Sequence, residues 1–410
     1  MKISSYTLTL SFILSLLICP PLLAQKVEVG DNSVLCKDDP DCINRIHPAI
    51  PMLKKANPGD TIVFNSRNAD DRILDPNAPE IEREDDPEIG WVHPLTGPVR
   101  INGAMPGDVL KVNIISVDPG QWAWTITSGI VSDVVEGYLM VRWKLGKEFA
   151  TSEDLPGVRL PNRSFPGVVS VLPSVEKHAE MLKREQELHD AGGDVLVPGS
   201  KFALPESICG EGGKYKDECL RTIPPREHGG NLDIRYLQAG SSIYLPCFVE
   251  GAGLSIGDPH YIQGDGEVSG TALEMDAVIT VTTEIIKNGP DLSRGPHYEG
   301  PSKLLDIPST KFYATTGFPI KDKAAIPPHL EYLGSEKIGS LENLSNDIYL
   351  AARNALLEMI DYISETYGYS KLQAYIITSV AVDLKIGQLV DAPNVGVTAV
   401  LPLDIFEQND

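Results

Sequence analysis

Apolar residues recur along this chain at two periods, and each period marks a different kind of element. Residues 108–117 (DVLKVNIISV) alternate apolar and polar positions, as a half-buried strand does. Pro106-Gly107 immediately before them reads as a turn. The stretch 58–64 (PGDTIVF) opens in the same way, and the two units suggest hairpin or barrel construction. Residues 243–257 are a further β candidate, interrupted by Pro246 and by glycines. Residues 276–286 (DAVITVTTEII) alternate clearly and are rich in β-branched side chains, which suit a pleated surface.

The helical period lies elsewhere. Residues 174–193 form a charged amphipathic pattern with Ser174 as cap and Gly192 as stop. In residues 345–368 the apolar positions Ile348, Ala351, Ala352, Ala355, Leu356, Met359, Ile360 and Ile363 share one helical face. Ser370 and Gln373 then make a capping-box pattern before a second helix through Val380. The link Tyr367-Gly368-Tyr369 is short, so these two helices are expected to pack as a hairpin. The expected fold is α+β: a β-rich, barrel- or sandwich-like scaffold with a C-terminal helical hairpin and a charged helical insertion at about 174–226. The Pro- and Gly-rich residues 287–303 and 319–340 read as long loops.

Charge narrows the partners. A net charge of −22 over 410 residues argues against nucleic acid and against anionic membrane surfaces. Lys2 followed by the apolar run Leu8–Ile18 reads as a signal peptide, too short to span a membrane, with cleavage expected after Ala24. Residues 25–410 are then one exported unit. Ile18 is bulky where a lipoprotein signal needs a small residue, which argues against lipid anchoring at Cys19. Export implies an oxidising compartment, so the local pairs Cys36–Cys42 and Cys209–Cys219 are the expected disulfides, leaving Cys247 as a free thiol.

The chemistry concentrates between His228 and Glu274. These 47 residues hold two His, six Asp or Glu and nine Gly, but only one Arg (Arg235) and no Lys. Unpaired buried charge is costly, so such a group is either solvated or wrapped around a cation. In 228–233 (HGGNLD), a Gly-Gly turn could join His228 to Asp233 as ligands; the bland alternative is side chains that merely bond the turn. In 257–267 (GDPHYIQGDGE), Asp258, His260, Asp265 and Glu267 fall within ten residues, and a Gly-Asp-Gly bend would return Glu267 toward His260. The bland alternative there is a hairpin tip of solvated acids. Glu274 could point into the same pocket or sit on its rim. Imidazole with carboxylate suits Zn²⁺ or another first-row ion, whereas Ca²⁺ would favour six to eight oxygens and little His. The nucleophile alternatives are poor: Ser241 and Ser242 lack a Gly-x-Ser-x-Gly setting, and Cys247 lies in an apolar strand. Trp122 and Trp124 could wall a pocket, although such residues are more often core or interface, and His93, ahead of a proline, reads as structural, with facing the site as the lesser alternative.

At these residues the chain resembles the acetamidase/formamidase family. The likeness runs through 93–114, 228–233, 257–274, 313–318 and 369–402, and so covers nearly all of the mature chain. The resemblance implies hydrolysis of carbon–nitrogen bonds in linear amides to a carboxylate and ammonia, a β-rich α+β fold, and a homo-oligomer. It points to Asp233, His260 and Glu267 as the central polar set, with Asp108, His228 and Glu274 behind. The expectation is a divalent ion, Zn²⁺ favoured over Ca²⁺, held by some of His228, Asp233, Asp258 and His260, with Glu267 or Glu274 as general base and a small amide as substrate. Two rivals remain: a metal-independent, carboxylate-assisted amidase, and an exported Ca²⁺- or ligand-binding protein without catalysis. The 174–226 insertion has the position to reshape the entrance.

Overall fold

The computed structural model describes residues 24–75, 86, 88–307, 309–321, 325–333, 338–389 and 394–407. The signal-peptide expectation, and Cys19 with it, falls outside the described residues. The strands that build and support the site are β1 (Thr61–Ser66), β2 (Leu95–Ile101), β3 (Val109–Ile126), β4 (Met140–Leu145), β5 (Phe165–Ser170), β6 (Gly229–Asn231), β7 (Ser242–Pro246), β8 (Ala252–His260) and β9 (Glu274–Ile286). They belong to one branched, 15-stranded sheet. No closed barrel is present among the described residues, so of the expected scaffold the β-rich character holds and the closure does not.

Strand β9 pairs antiparallel with β1 on one side and β3 on the other. Its alternation sends Ala277, Ile279 and Val281 into the core, each fully buried apolar side chain contributing about 1.5–3 kcal/mol. Strand β3 is longer than its alternating pattern indicated, because it continues through the two tryptophans to pair with β4. Strand β8 lies between β5 and β2 and is buried at all nine positions, which explains its continuous run of apolar and small residues. It meets β9 at a single pair, His260 opposite Glu274.

The helices follow the sequence closely. Helix α1 (Val175–Asp190) starts at Ser174, whose side chain accepts from the Lys177 N–H. Helix α2 (Ile348–Tyr367) is capped by Asp347 and ends at Gly368 in the left-handed region, φ 77°. Helix α3 (Lys371–Ala381) begins with the expected capping box between Ser370 and Gln373. The α2–α3 hairpin packs Met359, Ile360 and Ile363 with Tyr375 and Ile376 into the main core, beside the three-stranded sheet of β10 (Phe312–Gly317), β11 (Asp383–Gln388) and β12 (Gly396–Pro402). Gly317 is needed there, since a Cβ would stand 2.1 Å from the Ala351 carbonyl. Both expected disulfides are formed, Cys36–Cys42 and Cys209–Cys219, and Cys247 is a buried free thiol. No helix among the described residues is long and apolar enough to cross a membrane.

Because β8 carries two site residues at its end, its packing and the site share one element. Leu254→Ala in its middle is expected to cost about 2–5 kcal/mol in urea unfolding. A loss well under 1 kcal/mol would show that this strand is not the central support described.

Candidate active site

Three chain segments meet where β8 ends. Strand β8 delivers Asp258 and His260, the return of the 261–273 loop delivers Glu267 and Glu274, and the segment after β6 delivers Asp233. The side-chain donors fall into two groups that share His260: Asp233, Asp258 and His260, and His260, Glu267 and Glu274. Within each group the donor atoms lie within 4.8 Å of one another. His260 Nε2 is 3.4 Å from Asp258 Oδ2 and 3.2 Å from Glu274 Oε2.

Backbone strain is concentrated here. Asp233 (φ 48°), Asp258 (φ 53°) and Glu267 (φ 44°) all occupy the left-handed region, which costs a non-glycine residue roughly 1–3 kcal/mol each. Surrounding contacts impose it. Gly167 O accepts the N–H groups of both Leu232 and Asp233. Pro259 fixes the chain after Asp258. Glu267 N–H bonds Gly264 O in a turn. That turn rests on α3: Gly264 N–H donates to Ser379 O, and the Ser379 hydroxyl both accepts from Ser269 N–H and donates to Thr271 O.

Gln263 sets the tautomer of His260. Its Nε2 donates to Asp233 O at 3.0 Å, so its Oε1 faces His260 Nδ1 at 2.9 Å and receives that proton. Nε2 is thereby left as the atom turned toward the carboxylates. Phe165 closes one side of the ring edge-on at 5.1 Å.

Among the described residues, the buried atoms Asp233 Oδ1 and Asp258 Oδ1 have no hydrogen-bond partner, and His260 Nε2 and Glu274 Oε2 face each other as an ion pair without a well-aligned hydrogen bond. Gly167 stands behind them. A Cβ at this position would lie 2.7 Å from Asp233 Oδ1 and 2.8 Å from Asp258 Oδ2, so only glycine leaves room for both carboxylates. Orphaned oxygens and one imidazole nitrogen around a space kept open by a glycine form a donor set that fits a first-row divalent cation.

Charge tells the same story. Burial, reinforced by the charge of Glu267, holds the Asp233 carboxyl well above its ordinary range. Burial pushes Glu267 up to about 8 and Glu274 up to about 7, with His260 pulling both the other way. Burial works against the charged form of His260, but Glu274 and Asp258 outweigh it and hold the imidazole well above its usual pKa. Burial likewise opposes ionised Asp258, yet His260 and then His93 keep it well below the carboxylate range. A bound cation would reverse the upward shifts of the carboxylates.

The structure separates other expected members from this group. His228 and Asp233 are not joined by a turn, because Gly229 and Gly230 are part of strand β6. That strand runs antiparallel to β5, so His228 lies near Ser170, whose hydroxyl is 2.9 Å from its Nδ1. Ser170 is in turn opposite Ser255 on β8, five residues from His260 and so about 15 Å up the strand. His228 is therefore buried and lies outside both donor groups. Asp108 is also removed: it pairs with Lys287 and accepts the Met105 N–H. Asp265 turns away to Tyr236 and Lys385. Cys247 is inert as a nucleophile, since burial and the nearby Asp108 push its thiol up to about 12.

Two contributors were undervalued in the sequence. Gln263 carried a usable signal, three residues after His260, whereas Gly167 carried none. Trp124 stands directly opposite Glu274 on β3 and is buried.

The chain is similar to several known proteins. A formamidase of Methylophilus methylotrophus is 31% identical over 390 residues, covering 89% of each chain. An acetamidase of Mycolicibacterium smegmatis is 31% identical over 365 residues, covering 82% of this chain and 84% of its own. Among solved structures, a gamma lactamase from Delftia acidovorans superposes with a TM-score of 0.78 at 28% identity, covering 94% of each chain. The profile of the Acetamidase/Formamidase family matches residues 28–408, and the chain belongs to that family.

Proposed function

We propose that this protein hydrolyses the carbon–nitrogen bond of a small amide, releasing a carboxylate and ammonia. The observation that carries the reading is the set at the end of β8, with Asp258, His260 and Glu274 buried and Asp233 and Glu267 half-buried, in a chain related to a formamidase and an acetamidase. The gamma lactamase likeness widens the substrates worth testing to cyclic amides, which contain the same bond.

Asp233, Asp258 and His260 are the residues that would hold a divalent cation, Zn²⁺ by the chemistry of the donors. When bound, such an ion supplies Lewis acidity to an amide carbonyl and to water. Gln263 holds His260 Nδ1 and so aims Nε2 at that position, where Glu274 Oε2 also faces it at 3.2 Å while Glu274 Oε1 accepts the Ala272 N–H. Glu267 is the general base: it takes a proton from the attacking water and returns it to the departing nitrogen, so that the amine leaves neutral. Glu274 is less suited because its carboxylate is tied to the loop and to His260.

A metal-free reading draws on burial, which raises both Asp233 and Glu267, and on the hydrogen bond between the two carboxyls. With both held high, the pair shares a proton near neutral pH and offers an acid and a base at one point. The purely calcium-binding alternative is disfavoured by the imidazole at the centre. The two disulfides suit an exported protein, and we place the activity in an oxidising compartment.

Purified protein incubated with formamide, acetamide, longer amides and lactams is expected to release ammonia from at least one, and silence across the panel would sink the amidase reading. Exhaustive chelation is expected to abolish that release and readdition of Zn²⁺ to restore it; full activity in metal-free protein would favour the proton-sharing pair. Glu267→Gln should lower turnover by about 10²–10⁴-fold with metal content and circular dichroism unchanged. Gly167→Ala should reduce the bound divalent metal measured by elemental analysis, because its methyl group fills the space between Asp233 and Asp258. A fully metallated Gly167→Ala protein would contradict the ligand set.

A further inference from the structure

His93 lies outside both donor groups, yet the sheet brings it to the same point. In the β2–β8 pairing, Leu95 is opposite Gly257 and Thr96 opposite Ile256. Just before that pairing begins, the His93 imidazole lies close enough to Asp258 and His260 for the charges of both to act on it. The close approach is visible at Gly257, where a Cβ would stand 2.6 Å from the Pro94 carbonyl. His93 is 8% exposed, and its Nδ1 is buried without a hydrogen-bond partner among the described residues. In either protonation state its imidazole carries at least one N–H to give. A buried polar atom without a partner calls for one, and a ligand in the pocket is the partner at hand.

What holds His93 comes from the insertion. The His93 N–H donates to the Thr222 hydroxyl at 2.5 Å, and Thr222 is 2% exposed. The residues leading to His93 are gripped by two buried guanidinium groups that face each other across a short antiparallel pair, Arg221 opposite Arg45. Arg45 donates to Gly90 O at 2.8 Å and to Gly199 O at 3.0 Å, and Arg221 donates to the carbonyls of Glu88 and Ile89. A Cβ on Gly90 would stand 2.6 Å from Lys201 O, so the insertion lies directly against this loop.

We propose that His93 is a further substrate-contacting residue, donating an imidazole N–H to the oxygen of the bound amide, and that Thr222 in the insertion positions it. The proposal rests on the amidase reading. It gives the insertion a task at the reaction centre itself, beyond the shaping of an entrance. A donor at that oxygen strengthens its bond as charge develops there, so its loss is felt in kcat more than in KM.

The test is steady-state ammonia release by the full-length protein on whichever amide the wild type hydrolyses. His93→Leu, similar in size but without a donor, is expected to lower kcat by about 10²–10³-fold. His93→Gln, which keeps an N–H, is expected to retain more of it. Thr222→Val, equal in shape but without the hydroxyl, should lower kcat by about tenfold, and Thr222→Ser should restore it. Melting temperatures measured in parallel distinguish loss of positioning from loss of fold: kcat falling in Thr222→Val at an unchanged melting temperature supports the proposal. Wild-type kcat in His93→Leu, or equal losses in Thr222→Val and Thr222→Ser, overturns it while the amidase reading stands. A wild type silent toward every amide overturns both.

Discussion

Everything at the end of β8 follows from crowding four carboxylates into one buried space. At about 4 Å two like charges repel by roughly 4 kcal/mol even in a moderately polar interior. A few such pairs equal the whole stability of an ordinary domain, about 5–15 kcal/mol. Asp233, Asp258, Glu267 and Glu274 therefore cannot all be ionised around the single imidazole of His260 without further positive charge. Protons can supply it, which is what the raised Asp233, Glu267 and Glu274 express, and a divalent cation would supply it more completely. The orphaned oxygens and the absent Cβ of Gly167 favour the cation.

Strain has the same origin. Three carboxylate-bearing residues are held at positive φ because each must turn its side chain away from its strand or turn and toward the others. That geometry persists because the backbone is bonded on all sides, by Gly167, by the Gly264 turn and by Ser379. A site that depended on rotamer choice alone would let these side chains swing apart and relieve their repulsion.

Local patterns in the sequence were legible where local physics decides them. The capping box at Ser370, the apolar face of α2, the alternation of β9 and both disulfides read directly because neighbours in the chain determine them. The polar cluster was legible as a composition, with Asp233, Asp258, His260, Glu267 and Glu274 all within one short stretch. Its membership was less so. His228 looked like a partner of Asp233 because Gly-Gly suggests a turn, whereas pairing with β5 stretched those glycines into a strand. Gly167 reaches the site because β5 pairs with β8, and His93 comes beside it from the residues just before β2, and no spacing in the chain encodes that.

The fastening of the 261–273 loop to Ser379 has a consequence for assembly. The site's carboxylates cluster in the middle of the chain, but the surface that shapes their loop is made more than a hundred residues later, and the His93 segment beside them comes more than a hundred residues earlier. Bringing such remote pieces together is slow, because loop closure comes before the contacts reward it. The reactive centre is thus among the last features to mature as the chain folds. An emerging or partly folded chain has the right residues without their geometry, so hydrolytic competence itself certifies that the fold is complete.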